Sequence, residues 1–415
     1  MNRASVLPGA RRPRLLLIER KLDAQGGVAA VASWILQALS RDYDLTLLCW
    51  KSPDLEAMNR FFGTSLQEGD FKVIATNPVI RRIVALDPDP GSIQSWCVLL
   101  RRCKRIQHRY DLVLGGELEA DFGVPGIQYL VCSAVSSLYP RVWHHMETGA
   151  WRRIRSLIRG DLPPWMLIAN FSFERMKKNI TLTDSNWIGE LVQRAYGIET
   201  ATIYPPASGD FVHRPWAQRE DGFICVGRLN PDKRIEWMVE TLGRVRTQAP
   251  DLQLHIAGSL DATPDAVAYR RKVVALTRSN ASWVHLHENL SRADLMELLS
   301  RYRYGIHAHK EEHFGIAVAE MVLAGCIPFV YQQGGPAEII EHDPRLLYAS
   351  ADQAVEKILD MINNRDLQQE TITKLEKRAS LFSAEQFMEA IRAVVAKELM
   401  RRTLPHQNAT DGFSS

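Results

Sequence analysis

Two carboxylates bracket a short apolar run in "EEHFGIAVAE" (311–320), with Glu312 and Glu320 on either side of Gly315. A carboxylate accepts two hydrogen bonds side by side, which suits vicinal hydroxyls. The run itself has helical period and follows the strand-like "YGIHAH" (304–309). A helix opening at Gly315 leaves the N–H groups of Gly315 and Ile316 free to cap a phosphate, and glycine lets a ligand approach the backbone. Glu312 then lies in the loop before the helix, and Glu320 about one and a half turns into it. One carboxylate can hold a sugar and the other a ribose, with phosphate between. A surface helix with two solvated glutamates has the same spacing. A second group lies upstream in "RLNPDKR" (228–234), where Arg228 and Lys233 leave the carboxyl end of the strand-like "GFICVG" (222–227). Two cations at that place suit a diphosphate, although an exposed turn also explains them. "YQQGGPAEII" (331–340) puts a Gly-Gly-Pro turn after another strand, and Gly26 and Gly27 join the first strand to its helix. Neither is a complete phosphate-binding signature.

These residues need a scaffold that brings strand ends together. The first half alternates strand-length apolar runs, from "PRLLLIE" (13–19) to "NITLTDS" (179–185), with helix-period stretches such as "GVAAVASWILQALS" (27–40). That alternation predicts parallel strands covered by helices. Two prolines in "IYPPASGD" (203–210) read as a linker. The pattern then restarts, with "SRADLMELLSRY" (291–302) opening on Ser291 as N-cap. The expected fold is α/β, with two doubly wound, Rossmann-like domains facing across a cleft. Residues 1–204 form the first domain and 205–382 the second. The helix 383–402 returns to the first, and 404–415 is a disordered tail. Open sheets of this kind bind ligands at the carboxyl ends of their strands, so the site is expected in the cleft.

Composition narrows the function classes. The 415 residues carry a net charge of +3 and are 46% hydrophobic, an ordinary globular profile. Basic residues are in excess over 1–205 and acidic ones over 206–415, so the first half suits an anionic surface or acceptor. No nucleic-acid recognition module is present. The six cysteines show no CxxC spacing and sit in apolar runs, as expected of reduced, cytosolic thiols. The N-terminus has no secretory h-region, and no run reaches the ~18 apolar residues that span a bilayer. The expected location is the cytoplasm, with peripheral contact on the inner face of the membrane. "WRRIRSLIRG" (151–160) and "RRCKRIQHR" (101–109) offer basic amphipathic faces for that contact, or helices packed on their own core.

Taken in order, "VGRLNPDKR" (226–234), "EEHFGIAVAE" (311–320), "AGCIPFV" (324–330) and "GGPAEII" (334–340) resemble the donor-binding domain of retaining family 4 glycosyltransferases, the glycosyl transferases group 1 of the GT-B fold. The likeness covers roughly residues 200–345. It implies that Arg228 and Lys233 neutralise the diphosphate and leaving group. It implies that Glu312 binds donor-sugar hydroxyls and Glu320 the nucleotide ribose. Phe314, Gly315 and Ile316 would contact sugar and phosphate, with Gly26 and Gly27 facing them from the first domain. It further implies no metal and no cofactor beyond the nucleotide-sugar. Glu311 is the expected bystander. A finer likeness of "GIHAHKEEHFGI" and of residues 179–206 to α-1,2-mannosyltransferases acting on dolichol-linked oligosaccharides implies GDP-mannose as donor. The acceptor it implies is a glycan or polyprenyl-linked chain.

One position departs from that pattern. Relatives carry a histidine in a "QYxH" segment where this chain reads "IQYLVCSA" (127–134), which puts Val131 at the histidine's place. His144 or His145 is then a candidate substitute, and a catalytically impaired GT-B protein that binds a nucleotide-sugar or glycan as a scaffold is the rival expectation. Two further candidates weigh less. "LDPDPG" (86–91) holds Asp87 and Asp89 in a DxD but reads as a turn. "GGELEAD" (115–121) offers Glu117 or Glu119 as acid–base groups for a sugar-nucleotide epimerase or hydrolase.

Overall fold

The computed structural model describes residues 11–20, 22, 26–86, 92–131, 164–207, 209, 211–259 and 264–403. Two all-parallel sheets organise them. The first comprises β1 (Arg14–Glu19), β2 (Asp44–Cys49), β3 (Lys72–Ala75), β4 (Leu112–Gly115), β5 (Ile127–Leu130), β6 (Ile180–Thr183) and β7 (Ala201–Thr202). Its order is β3-β2-β1-β4-β5-β6-β7. The second comprises β8 (Glu220–Arg228), β9 (Gln253–Ser259), β10 (Val284–Glu288), β11 (Tyr302–His307), β12 (Ile327–Tyr331) and β13 (Leu347–Tyr348), in the order β10-β9-β8-β11-β12-β13. Both sheets are doubly wound, with the chain reversing direction between β1 and β4 and between β8 and β11. Strand order thus puts the loops after β1, β8 and β11 at the two crevices where such sheets bind ligands. The two-residue strands β7 and β13 are too short to announce themselves as apolar runs.

The strands are apolar on both faces because helices cover both. Leu15 and Leu17 of β1 face one buried cluster, and Leu16 and Ile18 face another with Trp96 and Phe122. Helix boundaries follow local chemistry. Ser291 accepts from Asp294 N–H at 3.1 Å and starts the helix Arg292–Arg301. Ser185 caps Asn186–Tyr196 in the same way, and Gly197, at φ +67°, ends it.

The Pro-Pro segment is not a loose tether. Ile203 and Ala207 are buried, and Ala207 N–H donates to Phe382 C=O at 2.9 Å. Tyr204 stacks on Phe314 with centroids 5.7 Å apart, so the connection is packed against the second domain. The helix Ala384–Thr403 lies on the first sheet, with Phe387, Ile391 and Val395 in its core. Arg392 donates to Ala38 C=O at 3.1 Å and Arg402 to Pro125 C=O at 2.6 Å.

Before β6 the chain forms the short helices Pro164–Ile168 and Phe173–Met176. "RRCKRIQHR" belongs mostly to the helix Ser92–Ile106, whose Leu99, Leu100 and Cys103 are buried on the first sheet. Five cysteines, Cys49, Cys97, Cys103, Cys225 and Cys326, are free and buried. The DxD of Asp87 and Asp89, Cys132, His144, His145, "WRRIRSLIRG" and the tail 404–415 lie outside the described residues.

Candidate functional site

Two loops of the second domain converge. β8 delivers Arg228, exposed at the strand end, and a 3-10 turn (Pro231–Lys233) then swings Lys233 back toward it. β11 delivers the buried His307 and the loop that carries Glu312. Lys233 forms an ion pair with Glu312, and His307 Nε2 stands 3.3 Å from the same carboxylate. Burial pushes the Glu312 carboxyl up, but Lys233, and behind it His307 and His309, outweigh this and hold it well below the usual carboxylate range. Glu312 is therefore an anion at neutral pH. Burial lowers the pKa of His307, against the opposing pull of Glu312. His307 thus stands beside the carboxylate as a buried imidazole at 3.3 Å, with neither ring nitrogen in a well-formed hydrogen bond.

The loop's backbone is set by close approaches that exclude side chains. Gly315, at φ +92°, opens the helix Ile316–Leu323. A Cβ on Gly335 would come 2.1 Å from His313 C=O, and Gly335 N–H donates to Glu312 C=O at 3.0 Å. The Gly-Gly-Pro turn is thus the buttress behind the Glu312 loop rather than a plain bend. Phe314 is buried and Glu311 exposed. Glu320 is also buried, and Arg292 holds it at 2.6 Å.

The first domain grips this loop from the other side. Gly27 opens its first helix with Ile316 Cδ1 only 3.3 Å from where a Cβ would stand. Ser185 Oγ donates to His313 C=O at 2.7 Å, and His313 Nδ1 lies 3.0 Å from Val131 C=O. Glu338, in the short helix Gly335–Ile339, crosses to the first domain. Its carboxylate accepts from Asn186 N–H at 2.9 Å and Trp187 N–H at 2.6 Å, the opening groups of the helix Asn186–Tyr196. Asp184 sits beside this junction, fully buried. Burial, and behind it the charges of Glu338 and Glu312, push its pKa well up.

The structure therefore brings together Lys233, Glu312, Gly315 and Ile316, with Gly27 against them from the first domain. Glu320 is held separately by Arg292. Sequence reasoning missed His307, Arg292, Ser185, His313 and Glu338. Three of them, His307, His313 and Glu338, lie inside quoted segments, but the partners of His313 and Glu338 are more than a hundred residues away and no spacing points to them. "GGELEAD" is committed to structure: Glu117 pairs with Arg20, Glu119 lies 3.3 Å from Tyr196 Oη, and Asp121 binds Lys104 and Arg175.

Residues 211–378 match the family model described as glycosyl transferases group 1. The second domain is a glycosyl transferases group 1 domain. A Dictyostelium discoideum GDP-Man:Man(3)GlcNAc(2)-PP-Dol alpha-1,2-mannosyltransferase is 24% identical over 268 residues, 59% of this chain and 51% of that relative. The chain thus spans about half the length of that curated relative. Among solved structures, Anabaena HepE in complex with UDP and glucose is 13% identical with a TM-score of 0.64, covering 92% of this chain and 99% of its own. Sucrose-phosphate synthase from Thermosynechococcus elongatus is 13% identical with a TM-score of 0.67, covering 94% and 100%. The fold is GT-B, with two Rossmann-like domains across a cleft. No helix among the described residues is long and apolar enough to cross a membrane.

Proposed function

We propose that this protein is a retaining, metal-independent glycosyltransferase. It moves a sugar from a nucleotide-sugar, GDP-mannose in the first instance, to a hydroxyl of a glycan or lipid-linked acceptor. The observation that carries the reading is the Lys233–Glu312–His307 group beside a helix opening at Gly315, facing the first domain. Arg228 and Lys233 offset the charge that grows on the departing diphosphate, in a site whose dipoles are already oriented, and this is the main catalytic effect. The N–H groups at Gly315 and Ile316 face phosphate at the positive end of the helix. Glu312, ionised and paired with Lys233 beside His307, accepts hydrogen bonds from donor-sugar hydroxyls. Glu320, fixed by Arg292, accepts from the ribose. The acceptor enters from the first domain, where the open space beside Gly26 leaves room for it, while Gly27 packs against Ile316. The relatives named as GDP-mannose-dependent enzymes support the donor, and the location that follows is the cytoplasmic face of a membrane.

One observation favours a second reading, a protein that binds the nucleotide-sugar without efficient transfer. Val131 stands at the place of an expected histidine; its side chain offers no donor, and its carbonyl lies within hydrogen-bond distance of His313. Turnover of GDP-, UDP- and ADP-sugars, beside thermal shifts with each, separates the two. Binding with no transfer to any acceptor favours the second, and no binding to any donor refutes both. Glu312→Ala should abolish transfer while nucleotide binding survives, and EDTA should leave transfer unchanged.

A further inference from the structure

A short helix after the edge strand of the first sheet is built inside out. Asn77 caps it by accepting from Val79 N–H at 2.8 Å, and Pro78 stands at its first position, so Pro78–Val84 has a well-specified start. An amphipathic helix normally turns its apolar stripe to the core. Here Val84 is the buried residue, while Val79, Ile83 and Leu86 are exposed by 59%, 58% and 80%. Val79 and Ile83 are spaced i and i+4 and share one face, with Ile80 beside them at 42%, and Leu86 follows in the turn that closes the helix, its N–H donating to Ile83 C=O at 3.1 Å. Val73 of the neighbouring β3 adds a fifth exposed apolar side chain. Single exposed aliphatics need no explanation, but a contiguous stripe marks a contact surface.

Within the segment itself the charges have one sign. Residues 71–86 contain Lys72, Arg81 and Arg82 and no Asp or Glu. Lys72 is engaged by Asp44, whereas Arg82 is exposed on the helix. Asp87 and Asp89 follow in the sequence, outside the described residues. The segment leaves the carboxyl end of β3, on the same rim of the first sheet as the Gly26–Gly27 loop at the cleft.

We propose that Pro78–Leu86 docks the first domain onto an anionic bilayer, with the apolar stripe in the acyl boundary and the two arginines at the headgroups. Four aliphatic side chains on two turns fall well short of the ~800 Å² per partner that a stable protein interface buries. They suit shallow insertion assisted by cations, which needs no shaped partner. The inference deepens the proposed function by placing a lipid-linked acceptor and the cleft on one side of the molecule. It rests on that reading for the acceptor's nature, while the test below needs no turnover.

The experiment is co-sedimentation of the full chain with phosphatidylcholine vesicles, with and without about one third phosphatidylglycerol. Wild type should sediment with the anionic vesicles, less so as salt rises, and poorly with the neutral ones. The triple variant Val79→Ser, Ile83→Ser, Leu86→Ser should lose affinity by ~10-fold or more, because it removes the inserted stripe. The pair Arg81→Gln, Arg82→Gln should weaken binding to anionic vesicles alone. The three aliphatic side chains are more than half exposed and belong to no buried cluster among the described residues, so the triple variant should keep the wild-type Tm and its thermal shift with a nucleotide-sugar. Failure of wild type to sediment, or equal binding by the triple variant, overturns the proposal. So does a concentration-dependent dimer that the triple variant abolishes, because the face would then join two copies. Loss of the donor-induced thermal shift in wild type would instead count against the proposed function and leave the vesicle result standing.

Discussion

Glu338 tests whether the two domains are coupled by the geometry described here. Its carboxylate accepts two backbone N–H bonds, at 2.9 and 2.6 Å, from the first turn of a helix in the other domain. Tyr204 Oη lies 3.3 Å from the same carboxylate. The residue is 5% exposed, so water does not stand in for it. Glu338→Gln keeps the shape but replaces one acceptor oxygen by an amide that also donates. One N–H of Asn186 or Trp187 then faces a donor. A buried hydrogen-bonding group left unmatched costs about 1–3 kcal/mol, and the loss of charge at a helix N-terminus adds about 0.3–1 kcal/mol. The sum is about 1–4 kcal/mol, located between domains rather than within one core. For domains of this size it lowers Tm by roughly 3–15 °C. Calorimetry should also show the melting of the two domains separating, since a two-state description fails once they uncouple. Glu356→Gln, on an exposed helix face, is the control. If Glu338→Gln melts like that control and with the same cooperativity, the cross-domain cap is not stabilising and the reasoning is wrong.

Two further outcomes follow from the charges. Lys233→Met should cut kcat by ~10²–10³ through loss of transition-state stabilisation. Lys233 is also the main group lowering the Glu312 pKa, so the acid limb of the pH–rate profile should move to higher pH; a kcat within a few-fold of wild type would count against the assignment. On the second sheet, His255 stacks between His285 and Tyr302, and its Nδ1 lies 3.0 Å from His287 Nε2. Burial, and then the neighbouring His285, His287 and Arg301, push its pKa down to about 3. The unfolded chain binds a proton near pH 6.5 that the folded chain refuses. Stability is therefore complete above pH 6.5 and falls as pH drops toward 3, by up to ~1 kcal/mol per unit. Urea unfolding of wild type and His255→Phe between pH 7 and 4.5 checks this, and equal slopes would refute it.

The sequence carries the architecture where the signal is local. Near-continuous apolar strands between helix-period segments declare a parallel sheet covered on both faces, and Ser291 starts its helix because the cap lies within one turn of its target. The position of the candidate residues was legible for a related reason: Arg228, Lys233 and Glu312 lie at or after strand ends, where folds of this kind place ligands whatever the details of packing. His307 was read as the interior of a strand, and nothing in "YGIHAH" separates a core histidine from one that stands beside a carboxylate. The role of Glu320 was drawn from spacing, yet its orientation depends on Arg292, which spacing does not reveal. The segment 78–86 was not singled out, because five aliphatics among nine residues read as ordinary core until burial shows four of them facing outward.

The geometry around Glu312 depends more on backbone than on side chains. On one side, the absence of a Cβ at Gly335 lets the second domain's own turn press on His313 and donate to Glu312 C=O. On the other, Ser185 donates to His313 C=O, and His313 in turn reaches the Val131 carbonyl. Because Ser185 also caps the helix that Glu338 grips, the loop and the domain junction share one helix terminus. A displacement of one domain against the other must therefore break bonds to the His313 backbone, one residue from Glu312. Side-chain distances within the second domain do not settle the donor site alone: its loop is shaped by the first domain, so acceptor-side substitutions at Ser185 should alter donor binding as well.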